Sequence, residues 1–127
     1  MQRENTDKHA LIGNSYPINL ISRRAVITVV GLDEFRQQIS GCVIHSFWGH
    51  ANTQKAAEYF AGVELTPAVP RPVLTLSDRN LPMLNGVEFN KCWVLSPIYV
   101  RNLRPEIGRE VPVDQIEGWR IKKLDWR

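Results

Sequence analysis

The sequence predicts a single α/β domain in which helices pack on a mixed β-sheet of about five strands. Two observations predict this class. Early in the chain, apolar runs of strand length alternate with amphipathic helical segments, and late in the chain such runs follow one another with hairpin-like spacing. A length of 127 residues allows one such core but is short for two. We expect residues 1–9 to form a flexible N-terminal segment and residues 10–127 to form the domain.

The first half of the chain carries the alternating pattern. Ala25–Val30 is rich in β-branched residues and should be a largely buried strand. The first helix should end at Gly41 and the second at Gly62, because glycine is a common helix stop. The predicted elements are strands at Ala10–Asn14, Ala25–Val30 and Cys42–Phe47, a turn at Asn14–Pro17, and helices at Leu32–Ser40 and Asn52–Ala61.

The second helix should pack closely on the sheet, since its alanines are small. We expect Ala56, Phe60 and Val63 to face inward, and Gln54, Lys55 and Glu58 to face water.

The second half should be mostly extended. Thr66–Pro72 contains three prolines and should be an irregular connector. Val73–Leu76 and Lys91–Ser96 should be strands that form a hairpin, with Ile98–Val100 continuing the second strand after Pro97. The remaining predictions are a loop or long hairpin tip at Ser77–Asn90, a turn of helix at Val113–Glu117 and a last strand at Trp119–Trp126.

Composition excludes some classes of protein. Hydrophobic residues at 43% and charged residues at 23% are ordinary for a globular protein and exclude disorder. A net charge of +3 suits an anionic ligand but lacks the dense basic stripe expected of a duplex binder. We see no membrane span, and the polar start Met1–His9 lacks the apolar core of a signal peptide, so we expect a cytoplasmic protein. Cys42 and Cys92 should then be reduced thiols.

Several catalytic chemistries lack their sequence signatures. His45 and His50 are five residues apart, and no Cys-x-x-Cys or His-Glu-x-x-His spacing occurs, which argues against zinc. The chain also lacks Gly-x-Ser-x-Gly and a Walker loop. Acid–base chemistry by one histidine, with arginine and a carboxylate nearby, is what these exclusions leave.

The stretch Trp48-Gly49-His50-Ala51-Asn52-Thr53 is the strongest candidate for that chemistry. It joins a predicted strand to a predicted helix through a glycine turn. Gly49 would let a ligand approach the backbone, and the first amides of the helix would bind a phosphate with His50 beside it as a proton donor. The alternative is that Gly49 and His50 only cap the helix.

Three pieces of sequence carry a family resemblance. They are Gly49-His50 with Thr53 and the later Gly62-Val63-Glu64, the segment Gly13–Leu20 with Asn14 and Asn19 five residues apart, and Arg101-Asn102-Leu103-Arg104-Pro105-Glu106-Ile107-Gly108. In this order, over residues 10–118, the chain resembles the small viral anti-CRISPR ring nucleases that degrade cyclic tetra-adenylate, and their CRISPR-associated relatives. The resemblance implies the same fold class and a role in countering or tuning type III CRISPR signalling.

The resemblance also implies a set of site residues. His50 would protonate the departing 5′-oxygen after attack by the ribose 2′-hydroxyl, so neither a metal nor a cofactor is required. Arg101 or Arg104 would hold the phosphate, but relatives have their arginine where this chain has Leu103, and Pro17 replaces a frequent serine. The implied catalytic residues are His50, Arg101, Arg104 and Glu106, and the implied ligand-binding residues are Asn14, Ser15, Asn19, Gly49, Asn52 and Thr53.

The residues themselves leave blander alternatives open. The two asparagines could satisfy the backbone of their own turn, and Arg104-Pro105-Glu106 could be a solvated turn. We expect a two-fold homodimer that binds one cyclic tetra-adenylate across its interface, because one short turn offers contacts for about half a ring. The alternatives are a cyclic-nucleotide sponge of the same fold, which binds without cutting, and a small basic nucleic-acid-binding protein.

Overall fold

The structure is a computed structural model that describes residues 9–48, 51–62, 65, 73–99 and 116–127, except for the side chains of residues 51–53. Strands and helices alternate in the first half, and the described part of the second half consists of strands. The helices are α1 (Leu32–Ile39) and α2 (Ala51–Ala61). The strands are β1 (His9–Gly13), β2 (Ala25–Val30), β3 (Val43–Ser46), β4 (Thr75–Leu76), β5 (Pro82–Leu84), β6 (Val87–Glu88), β7 (Lys91–Tyr99) and β8 (Ile116–Trp126).

Five of the strands form one mixed sheet in the order β2-β8-β7-β1-β3. Strand β1 is parallel to both of its neighbours, β3 and β7, whereas β8 is antiparallel to β7 and to β2. The parallel pairs join strands that are distant in sequence, as crossover connections require. The predicted fold class is therefore confirmed: the protein is a small single α/β domain with a mixed five-stranded sheet and two helices.

The two faces of this sheet are covered differently. Both helices pack on one face, which we call the helix face, over a core that includes Ala10, Ile12, Phe35, Trp93 and Leu95. The other face is covered by a second, three-stranded antiparallel sheet in the order β4-β5-β6, which we call the small sheet. The core beneath the small sheet is a separate cluster of apolar side chains: Leu11, Phe47, Leu81, Leu84, Val87, Phe89, Cys92, Val94, Leu124 and Trp126.

Arg36 of α1 connects the two helices. Its Nε donates a hydrogen bond to the carbonyl of Ala61 at 3.0 Å, and its Nη2 donates to the carbonyl of Phe60 at 3.3 Å. Carbonyls in the last turn of a helix have no partner inside the helix, and a basic side chain is favourable there. The arginine thus caps the end of α2. Both helices end just before the glycines that predicted their stops, Gly41 and Gly62.

Strand β2 has the predicted bounds but not the predicted burial. It lies at an edge of the sheet, and its burial pattern is exposed over four of its six residues. Ile27 is 58% exposed and Val29 is 65% exposed. The prediction of a largely buried strand was wrong, because a β-branched run indicates a strand and does not indicate whether the strand is central or at an edge.

Helix α2 buries a different face from the predicted one. Gln54 was expected to face water but is only 4% exposed, and it lies on the buried face with Ala57 and Ala61. Its amide nitrogen donates to the carbonyl of Leu65, which supplies the partner that a buried amide needs. Lys55 is exposed as expected, Ala56, Glu58 and Phe60 are half-buried, and Val63 lies outside the described residues.

The predicted hairpin between Val73–Leu76 and Lys91–Ser96 was wrong. β4 pairs with β5, while β7 pairs with β1 and β8. The segment predicted as a loop or hairpin tip contains β5 and β6, joined by a tight turn at Asn85-Gly86 with φ values of 54° and 77°. Both residues need positive φ there, for which an Asn-Gly pair is well suited. This closer hairpin partner replaces the distant one.

Strand β7 continues through Pro97, and the ladder explains why. Trp126 donates its backbone N–H to Asn90 at 3.0 Å, so the even-numbered residues of β8 bond to β7. Pro97 is opposite Trp119, an odd-numbered residue, so its backbone nitrogen points away from β8. On that side the neighbouring strand is β1, which has already ended level with Val94. A missing N–H is tolerated at such a position.

The end of the chain also differs from the prediction. β8 begins at Ile116, so residues 116–117 are strand and not the predicted turn of helix. Residues 113–115 and the predicted connector Thr66–Pro72 lie outside the described residues. Across the described ranges, no helix has the length and apolar character needed to cross a membrane.

Candidate functional site

Three neighbouring strands of the sheet are parallel, so their carboxyl ends lie toward the same side of the sheet. β3, β1 and β7 are neighbours, with Ile12 level with Ser46 on one side and with Trp93 on the other. Their carboxyl ends therefore point the same way. In open α/β sheets, ligands bind in the crevice outside the carboxyl ends of the strands.

Each group of predicted site residues follows one of these strands in the sequence. Asn14, Ser15 and Asn19 follow β1, Gly49 and His50 follow β3, and Arg101, Arg104 and Glu106 follow β7. The last pair of the β1–β3 register is Ile12 with Ser46, and Asn14 and Trp48 each follow that pair by two residues. β1 and β3 end side by side, whereas β7 continues past the end of β1, from the level of Val94 to Tyr99.

The described site residues differ in their surroundings. Asn14 is half-buried at the end of β1, Ser15 is exposed, and Asn19 is exposed within a short 3₁₀ helix at Ile18–Leu20. Tyr16 lies between the two asparagines, and its hydroxyl donates to the carbonyl of Leu20 at 3.3 Å. Burial, with a smaller contribution from Cys92, raises the pKa of Tyr16 well above its ordinary range, so this hydroxyl stays protonated. It orders the loop that follows β1.

The other predicted residues fall largely outside the described part of the chain. Gly49, His50, Arg101, Arg104 and Glu106 are not described, so their roles stay predictions. Asn52 and Thr53 belong to the first turn of α2, which begins at Ala51, but their side chains are not described. The backbone amides of a first helical turn lack partners within the helix, which is the feature that the phosphate prediction uses.

Gly13 joins the ends of β1 and β3. A Cβ atom at this position would overlap the ring of Phe47. The ring therefore packs directly against the backbone of Gly13. Gly13 is one residue before Asn14 in the sequence, and Phe47 is three residues before His50. Any larger residue at position 13 would force the two strand ends apart or displace Phe47.

A groove on the helix face lies next to the carboxyl ends of these strands. It has a volume of about 670 Å³ and is formed by Lys55, Ala56, Tyr59 and Phe60 of α2 and by residues 116–119 of β8. Phe60 and Trp119 stack with their ring centroids 5.9 Å apart and their planes at 22°. The ring centroids of Trp119 and Trp48 are 6.2 Å apart. An aromatic wall therefore extends from the residue before Gly49 to the middle of the groove.

Sequence reasoning missed this groove. One signal for it existed: Lys55 with Tyr59, and Ala56 with Phe60, are pairs four residues apart, which places each pair on one side of a helix. The partner surface on β8 had no local signal, because Trp119 is about sixty residues away in sequence and only the sheet order brings it to α2.

A second polar cluster lies on the opposite face. His9 Nδ1 is 2.8 Å from His45 Nε2, and His45 Nδ1 is 3.1 Å from the amide nitrogen of Asn85. The amide nitrogen can only donate, so His45 accepts at Nδ1 and donates from Nε2 to His9. The described residues contain no group of three or more histidine, cysteine, aspartate or glutamate side chains placed to hold a metal ion.

Two comparisons of the sequence with known proteins found no match. A scan against protein-family models finds no match, and a search of curated proteins finds no significant match. The candidate site therefore rests on the sequence motifs, the strand-end geometry and the groove.

Proposed function

We propose that this protein is a metal-independent ring nuclease that cleaves cyclic tetra-adenylate to linear di-adenylates, and so counters or tunes type III CRISPR signalling in the cytoplasm of the cell that it acts in. The observation that carries the proposal is the arrangement of β3, β1 and β7. Three motifs that resemble one family follow the carboxyl ends of three adjacent parallel strands. This strand order is what we expect if the motifs contribute to one site.

The reaction needs few protein groups. The ribose 2′-hydroxyl of the substrate loses its proton to solvent as its oxygen bonds to the adjacent phosphorus, the bond from phosphorus to the 5′-oxygen breaks, and the 5′-oxygen takes a proton. His50 supplies that proton, because an imidazole titrates near neutral pH. The products are a 2′,3′-cyclic phosphate and a free 5′-hydroxyl. Since the substrate provides the nucleophile, the protein has only to align the groups and stabilise charge on the phosphorus.

The positive groups have separate tasks. Arg101 or Arg104 would bind the non-bridging phosphate oxygens by its fork of donors, and the first turn of α2 would contribute backbone N–H groups. Glu106 would orient that arginine. Asn14 and Asn19 would hydrogen-bond ribose or adenine, with Asn14 held at the end of β1 by the packing of Gly13 on Phe47.

The proposed assembly is a two-fold homodimer that shares one ring. One copy of the strand-end edge offers contacts for about half of a four-nucleotide ring, and a two-fold axis would bring a second copy to the opposite phosphates. The net charge of +3 on each chain favours association with an anionic ring.

The decisive experiment is incubation of the full chain with cyclic tetra-adenylate in excess EDTA, followed by mass analysis of the products. We expect linear di-adenylates, first as cyclic 2′,3′-phosphates. Binding without turnover would instead identify a sponge. Salt-sensitive binding of duplex, with no preference for the ring, would identify a nucleic-acid-binding protein. Light scattering with ligand titration tests the assembly, since one ring per monomer contradicts the shared site.

A further inference from the structure

The groove between α2 and β8 has the chemistry of a base-binding site. Its wall is aromatic: Phe60 and Trp119 are stacked, and Tyr59, the residue before Phe60 in α2, is 93% exposed. A ring this exposed gains nothing from the core of the domain, so its apolar surface is available to a ligand. Stacking on such rings is the usual way in which proteins bind unpaired nucleobases.

Two opposite charges flank this apolar wall. Lys55 lies on α2, one turn before Tyr59, and Glu117 lies on β8 across the groove. An ammonium group suits a phosphate, and a carboxylate accepts hydrogen bonds from an exocyclic amino group. A ligand that is only a hydrocarbon would use neither charge. A planar ligand with an amino group at one end and a phosphate at the other would use both.

The position of the groove along α2 fits the length of a nucleotide. Lys55 is four residues after Ala51, which is a rise of roughly 6 Å along the helix axis. A phosphate near the first turn of α2 would therefore place its base beside Tyr59 and Phe60. The volume of about 670 Å³ also lies in the range typical of small-molecule sites, roughly 300–1,000 Å³.

We propose that this groove is a subsite for the adenine base of the nucleotide ligand, with Tyr59 and Trp119 stacking on the base. The proposal rests on the proposed function for the identity of the ligand, but it concerns binding and not cleavage. Glu117 accepts from the exocyclic amine of adenine, and Lys55 contacts the adjoining phosphate. Tyr59, Trp119, Lys55 and Glu117 are thus binding residues that none of the sequence motifs contains.

The test compares binding by wild type and variants of the full chain. The probes are cyclic tetra-adenylate, AMP, and ribose 5-phosphate as the ligand without a base, each measured by calorimetry under non-cleaving conditions with His50→Ala as the background. Tyr59→Ala is the main variant, because an exposed side chain can be removed without loss of the fold. Ile27→Ala is its matched control, since Ile27 is also exposed but lies on β2 opposite Leu124, outside the lining of the groove.

We expect Tyr59→Ala to weaken binding of AMP and of the ring by roughly tenfold, in keeping with the loss of one stacking partner. Trp119→Phe should weaken both by a smaller factor, and ribose 5-phosphate should bind poorly to every variant. Ile27→Ala should match the background.

Two results would overturn the subsite. One is equal binding of AMP and ribose 5-phosphate, and the other is unchanged affinity in Tyr59→Ala. Cleavage by otherwise wild-type protein is measured separately. If the ring is cut normally by Tyr59→Ala with unchanged KM, the subsite fails while the proposed function stands. If nothing is cut but AMP binding depends on Tyr59, the proposed function fails while the subsite stands.

Discussion

The two faces of the five-stranded sheet carry side-chain clusters that offer a ligand very different surfaces. Beneath the small sheet, His9, His45 and Asn85 bond to one another, and the ring of Phe89 lies 5.3 Å from that of His45. On the helix face, Trp119 and Phe60 pack together but leave a groove of about 670 Å³ beside them. The ring nitrogens of His45 are both paired within the first cluster, whereas the second cluster lines a groove.

The hydrogen bonds of His45 indicate a structural role for this histidine. Both ring nitrogens of His45 are bonded within the protein, so this side chain has no remaining nitrogen to exchange a proton with a substrate. A general acid needs such a nitrogen. From sequence, His45 and His50 are two histidines five residues apart at the end of one strand, and only the neighbours that folding brings to His45 distinguish them.

The largest expected effect tests this distinction between histidines. His50→Ala should lower single-turnover cleavage of cyclic tetra-adenylate by at least about 100-fold, because it removes the general acid, while ring binding stays largely intact. His45→Ala is the matched control. It should cleave at nearly the wild-type rate and lose about 1–2 kcal/mol of unfolding free energy, measured in urea, because His9 and Asn85 lose a partner. Equal cleavage rates for wild type and His50→Ala would remove His50 from the mechanism.

The next effect concerns the two arginines that follow β7. Arg101→Ala or Arg104→Ala, but not both, should lower single-turnover cleavage by roughly 10- to 100-fold, since one guanidinium stabilises the phosphate and the other is a surface charge. The unaffected arginine serves as the control for the loss of one positive charge. Near-normal kinetics in both variants would favour a solvated turn at Arg104-Pro105-Glu106.

Local sequence signals predicted local structure well, since they report on the backbone. Glycines at 41 and 62 fixed the ends of both helices, and the apolar runs located the strands of the main sheet. The predictions of burial that failed depended on contacts with residues distant in sequence. The exposure of Ile27 and Val29 follows from the position of β2 at the edge of the sheet, and the burial of Gln54 follows from the carbonyl of Leu65 that reaches it. Neither fact has a signature within the segment itself.

The candidate site shows the same contrast between local sequence signals and contacts with distant residues. Asn14 and the first turn of α2 were located by short motifs that lie within single loops. Trp119 was not, because its place beside Phe60 depends on the order of strands β1, β7 and β8. The hydrogen bonds of His45 to His9 and Asn85 were not predicted either. In the sequence, His45 suggested only a possible metal ligand.

A smaller effect tests how the strand ends are joined. Gly13→Ala should lower the free energy of unfolding by about 1–3 kcal/mol, because the added methyl group overlaps the ring of Phe47. The measurement is urea denaturation of Gly13→Ala, Phe47→Leu and the double variant. Since the smaller leucine leaves room for the methyl group, the double variant should be more stable than the sum of the single effects predicts. Strict additivity would show that this contact does not join the ends of β1 and β3.

The smallest effect compares one cysteine on each face. Cys92 is fully buried beneath the small sheet, and burial raises the pKa of its thiol well above the ordinary range. Cys42 is half-buried and packs against the core of the helix face. The thiolate is the reactive form, so a thiol reagent should label one cysteine per native chain and reach Cys92 only on unfolding. Cys42→Ser should abolish the native labelling, and Cys92→Ser should preserve it.

The same burial predicts a dependence of stability on pH. The raised pKa means that the folded state holds the thiol proton more tightly than the unfolded chain does. This contribution to stability is complete below the ordinary thiol pKa of about 8.5 and declines as the pH rises above it. Urea denaturation at pH 7.5 and pH 9.5 should therefore show a larger loss in wild type than in Cys92→Ala, whereas Cys42→Ala should follow wild type. Equal losses in all three proteins would show that Cys92 does not contribute to the alkaline decline.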